Sequence, residues 1–92
     1  MDTQTKDAVK RRIKSISGHV AGIERMIDQD TYCIDVIRQV QAVQAALNKV
    51  NDLILENHLN TCVISAVRSD DPQQREKVLG EIVGVFEMAQ KI

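Results

Sequence analysis

The sequence predicts an all-α protomer of three helices, the central one very long. Three observations carry this. Apolar residues recur at alternating spacings of four and three through most of the chain. Residues 31–67 contain neither glycine nor proline. The one proline, Pro72, stands where a helix should begin. The chain has 92 residues, which fits a single domain, 1–92, with a modest core.

The first stripe is Val9, Ile13, Ile16, Val20, Ile23 and Ile27, and places helix one at about 4–28. The turn Asp28-Gln29-Asp30-Thr31 follows, with Asp30 or Thr31 the expected N-cap of the next helix. The second stripe is Val36, Val40, Val43, Leu47, Val50 and Ile54. A helix over 31–67 spans roughly 55 Å, whereas a compact domain of this length has a radius of gyration near ~12–13 Å. One small chain cannot cover such a helix, so a second copy is expected on it. In the third stretch Asp71 suits an N-cap, Pro72 the first helical position and Gln74 the capping-box position. Val78, Leu79, Ile82, Val83, Phe86 and Ala89 then form an apolar face on a helix over about 72–90.

Composition narrows the function. The net charge is −1, but residues 1–25 hold Lys6, Lys10, Arg11, Arg12, Lys14 and Arg25 against only Asp2, Asp7 and Glu24. The N-terminal third is the basic end. Tyr32 and Phe86 are the only aromatic residues, too few for a base-stacking nucleic-acid module. There is no membrane-length apolar run and no signal-peptide h-region, so a cytoplasmic location is expected, without membrane association. No Ser/His/Asp set, phosphate loop or catalytic carboxylate pair is present, which argues against an enzyme.

Three soft donors lie along the central helix: Cys33, His58 and Cys62. His58 and Cys62 are four apart, so they share one helix face and can reach one ion. Thiolate with imidazole suits Zn(II), Cu(I) or Ni(II). The bland alternative is that each cysteine is a small core residue. Cys33 is 25 residues before His58, roughly 37 Å along a helix, and cannot join that pair within one chain. Two antiparallel copies centred near residues 45–47 would bring Cys33 of one to His58 and Cys62 of the other, in an isologous dimer with two equivalent sites. His19 stands apart from these donors and reads as a surface or interface histidine.

The runs Tyr32-Cys33-Ile34-Asp35-Val36, Gln39 to Leu47 and His58-Leu59-Asn60-Thr61-Cys62, with Arg12 to Ile23 before them, resemble the copper-sensitive operon repressor family. The resemblance covers nearly the whole chain and is weakest over 68–77. It implies three-helix protomers that pair as antiparallel four-helix-bundle dimers and assemble into homotetramers. It implies that apo protein binds double-stranded operator DNA and that the effector releases it. Copper sensors of that family place Cys, His and Cys at the positions of Cys33, His58 and Cys62, which makes Cu(I) the expected effector and a copper chaperone a conceivable donor. Tyr32 and Glu81 match the tyrosine and glutamate that support the copper site. Arg12 and Lys49 match the family's basic DNA-contact positions, and Lys10, Arg11 and Lys14 are further DNA candidates by charge. Nickel or cobalt sensors add an N-terminal histidine and replace the last cysteine by histidine, formaldehyde sensors carry proline at position 2, and persulfide sensors lack the histidine. Here position 2 is Asp2 and His58 is present. Nickel, zinc or thiol-reactive sensing on the same scaffold remains the alternative, with a metal-buffering helical protein as a different class.

Overall fold

The computed structural model describes residues 1–91, with side chains through Met88. Ala89, expected on the apolar face of the last helix, lies outside the described side chains. The helices are α1 (Thr3–Asp28), α2 (Cys33–His58), α3 (Ile64–Arg68) and α4 (Pro72–Lys91), and a π-helical turn, Leu59–Val63, joins α2 to α3. The predicted central helix is therefore α2, the π turn and α3 in one unbroken helical run. The fold is all-α, three helices with a long central one. The chain divides into two compact units, residues 1–57 and 58–92.

The first unit is an antiparallel hairpin of α1 and α2. Asp2 caps α1, its carboxylate accepting from the Thr5 backbone N–H at 2.7 Å. At the other end the Thr31 N–H donates to the Met26 carbonyl and the Asp30 N–H to the Ile27 carbonyl. This is a Schellman close, with Asp30 in the left-handed region at φ 54°. Asp30 thus ends α1 rather than starting α2. The next helix opens two residues later than the capping pattern suggested, where the Tyr32 carbonyl accepts from the Asp35 and Val36 N–H groups. Aspartate tolerates the left-handed conformation, so the residue that reads as a cap serves as a stop.

Two contacts set the hairpin register: Asp2 meets Asn57 at the open end, and His19 meets Gln39 nearer the turn. Ile16, Val43 and Val50 form the buried cluster, with Val9, Ile23, Ala46 and Ile54 packed against it. Only part of each predicted stripe is used. Val9, Ile16 and Ile23, spaced by seven, face α2; Ile13, Val20 and Ile27, also spaced by seven, remain exposed. On α2, Val43 and Val50 are buried while Val40 and Leu47 are exposed.

The second unit packs α4 against the π turn and α3. Val63, Ala66 and Val78 form its core, with Ile82 against them. Asp71 caps α4 as predicted, accepting from the Gln73 N–H at 3.0 Å, with Pro72 in the first helical position. The Ser69 hydroxyl oxygen accepts from the Asp71 N–H and steadies the connection. Leu79, Val83 and Phe86 project from the other side of α4 and are about half exposed.

Candidate metal centre

Cys33 is the first residue of α2 and His58 the last. Both cysteines are free and exposed, and His58 is half-buried. No three His, Cys, Asp or Glu side chains gather into a metal-binding group among the described residues. The expected assembly of Cys33 with His58 and Cys62 is thus not formed inside one chain, in keeping with their placement along the helical run.

Cys62 lies within the π turn, not in regular α-helix. Four residues from His58 overshoot one α turn of about 3.6 residues. A π turn bonds i to i+5 and holds more residues, so four fall short of a full turn instead. Either way the two side chains stay on one side of the helix, but the π turn re-aims everything after Cys62. The sequence carries a sign of this. The four-three seam ends at Ile54. Its next two positions are Asn57 and Thr61, both polar, and the buried residues resume out of phase at Val63 and Ala66. The Thr61 hydroxyl donates to Cys62 Sγ at 3.6 Å, orienting the sulfur. Exposed thiols with an adjacent imidazole form a soft, acid-sensitive donor set, because thiols must lose their protons to bind a metal.

Tyr32 is 70% exposed at the start of α2 and Glu81 is exposed on α4. The first belongs to residues 1–57 and the second to residues 58–92. His19 is half-buried between α1 and α2, its Nε2 2.7 Å from Gln39 Oε1, which makes it a hairpin contact.

The basic residues fall into two sets. Lys10, Arg11 and Lys14 line a shallow groove on α1 together with Asp7. Their spacings of three and four keep them on one face. Arg12, also exposed, lies outside that groove, and Lys49 is exposed on α2. Sequence reasoning missed the pairing of Asp2 with Asn57, whose amide donates to Asp2 Oδ2 at 2.6 Å. The Asp2 carboxyl is held below its ordinary value, chiefly by the Thr5 backbone N–H, then by the Thr5 side chain and more weakly by Asn57.

Soft donors along one helical run and a basic face on the neighbouring helix describe a helical, metal-responsive regulator. A family model described as metal-sensitive transcriptional repressor matches residues 5–88, and the chain belongs to that family, a family of repressors rather than enzymes. The copper-sensing transcriptional repressor CsoR of Bacillus subtilis is 39% identical over 84 residues, covering 91% of this chain and 80% of that protein. Its namesake in Mycobacterium tuberculosis is 46% identical over 65 residues, 71% of this chain. The match spans 55% of that longer relative. The crystal structure of the copper-sensing repressor CsoR with Cu(I) from Geobacillus thermodenitrificans superposes with a TM-score of 0.86 at 33% identity, over 98% of this chain and 91% of that one. Among the described residues no helix is long and apolar enough to cross a membrane.

Proposed function

We propose that this chain is a cytoplasmic Cu(I)-responsive repressor, whose 92 residues act as one sensing and DNA-binding domain. The apo oligomer binds operator DNA, and Cu(I) releases it. The observation that carries this reading is the placement of the donors. Cys33 opens the helical run, His58 and Cys62 stand near its far end, and the exposed aliphatic residues Val40 and Leu47 lie between. An antiparallel pair of α2 helices covers those residues and brings Cys33 of one protomer to His58 and Cys62 of the other. The exposed rows of α1 and α2 then close a four-helix-bundle dimer, and dimers assemble into tetramers.

Cu(I), handed over by a copper chaperone, supplies a soft acceptor suited to two thiolates and one imidazole in trigonal geometry. The residues of the chain do the rest. Cys33 and Cys62 release their protons. His58 ligates through one ring nitrogen, and its other nitrogen is held by a hydrogen bond to the supporting pair, Tyr32 and Glu81. Such outer bonds orient a ligand and convey its position. Arg12 and Lys49, with Lys10, Arg11 and Lys14, meet the phosphate backbone of the operator. Binding through phosphates releases counterions and is strongly salt-dependent. The basic face of α1 distinguishes a regulator from a metal buffer, which has no use for it.

The deciding experiment titrates Cu(I), Ni(II), Zn(II), formaldehyde and a persulfide donor against the protein bound to its own promoter duplex, followed by fluorescence anisotropy. Cu(I) is expected to release DNA at the lowest free concentration. Release by another effector at lower concentration overturns the copper reading. Affinity that is flat between low and moderate salt overturns the DNA contacts.

A further inference from the structure

The first turn of α1 is held at two points by one side chain. Asp2 Oδ1 accepts from the Thr5 backbone N–H at 2.7 Å, and Oδ2 accepts from the Asn57 amide at 2.6 Å. The first bond closes the helix end. The second ties that end to the last turn of α2, one residue before His58. Lys10, Arg11 and Lys14 lie on the helix that Asp2 begins, with their groove opening from Asp7. A single charge-assisted hydrogen bond therefore joins the turn that bears a candidate metal ligand to the helix that bears the candidate DNA contacts.

We propose that Asp2 and Asn57 are a positioning pair, through which occupancy of the His58 site is transmitted to the basic face of α1. The proposal rests on the Cu(I)-responsive reading above. His58 and Asn57 share one helical turn, so a rotation that aims the imidazole at a metal also swings the amide. A hydrogen bond this short is sensitive to such a movement, since distance and angle both set its strength. Asp2 cannot follow freely, because its other oxygen is fixed to the Thr5 N–H. The displacement is passed on to the first turn of α1, or the bond is lost and that turn is released. Asp2 is an acceptor at both oxygens when ionised, so the donor has to be Asn57.

The test compares DNA affinity without and with Cu(I), for the full chain and its variants on the same promoter duplex. Helicity and Cu(I) stoichiometry are measured on the same samples. Asn57→Asp sets a carboxylate against Asp2, and is expected to shrink the ratio of apo to Cu(I)-bound affinity at least fivefold, in the range of ordinary coupling. Combining it with Asp2→Asn restores donor to acceptor, since the new amide can accept from Thr5 and donate to the new carboxylate. This swapped pair is expected to recover the ratio. Asp2→Ser keeps a good helix cap while falling short of Asn57, and should lower the ratio even if Asn57→Asp folds poorly. A contact that only stabilises the fold would weaken apo binding and leave the ratio intact, and that result overturns the proposal. Failure of the swapped pair to recover also overturns it. If Cu(I) does not release DNA from the unaltered protein, the functional reading falls and takes this inference with it.

Discussion

Val9, Ile16 and Ile23 form one row of α1, and Ile13, Val20 and Ile27 form another. Both are β-branched and both are spaced by seven. The first row packs against Val43 and Val50 of α2, whereas the second is 43–60% exposed. Val40 and Leu47 continue the open surface on α2, at 40% and 43% exposure. Nothing in side-chain chemistry separates the rows; what differs is the partner each is built for. Covering five half-exposed aliphatic side chains contributes on the order of 5 kcal/mol per protomer. Doubled over a symmetric pair, that falls within the ~4–15 kcal/mol that association costs in lost freedom. The open row is thus strong enough to matter and too weak to ensure pairing alone, which leaves room for the ends of α2 to influence assembly.

Leu47→Glu should have the largest effect. Near the proposed two-fold axis it sets two carboxylates against each other in an apolar seam, where unpaired charges are costly. The expected outcome is a helical monomer by light scattering, without a full Cu(I) complement; an unchanged oligomer would show that the open row is not the interface. Ile16→Ala, in the closed row, should cost about 2–4 kcal/mol by leaving a cavity. Thermal melts should show it as lost stability with subunit stoichiometry unchanged at fixed concentration. A change of stoichiometry without lost stability would mean the rows have been assigned the wrong way round. The smallest effect is expected from Gly18→Ala. A Cβ there meets nothing within 4 Å. Alanine should add about 1 kcal/mol through helix propensity, if this face stays open in the assembly. Destabilisation would show that another chain approaches α1 at Gly18.

The sequence made the helices and their faces legible because a four-three spacing has a single helical meaning. It also disclosed the start of α4, since Asp71 and Pro72 act locally. It could not divide the stripe into a closed and an open row, because Ile13 and Ile16 look alike until α2 is placed beside them. The turn was misjudged for a similar reason. Asp30 can cap a helix or stop one, and the Met26 and Ile27 carbonyls decide which. Asn57 and Thr61 did mark the phase break, but two polar residues in a seam gain meaning only once the π turn is seen. As for the donors, residue type and spacing were on view from the start. Their assembly was not, because the expected site belongs to two chains.

The π turn also limits how the length of this chain can vary. Removing one residue from 59–63 would return the run to regular α-helix and swing everything after it by about 100°. Val63 and Ala66 would turn away from Val78, and Cys62 would lose its alignment with His58. The connection at 69–71 is a surface loop that could gain a residue at little cost. Relatives that differ in length should therefore carry their insertions there, and keep the count from His58 to Val63 fixed.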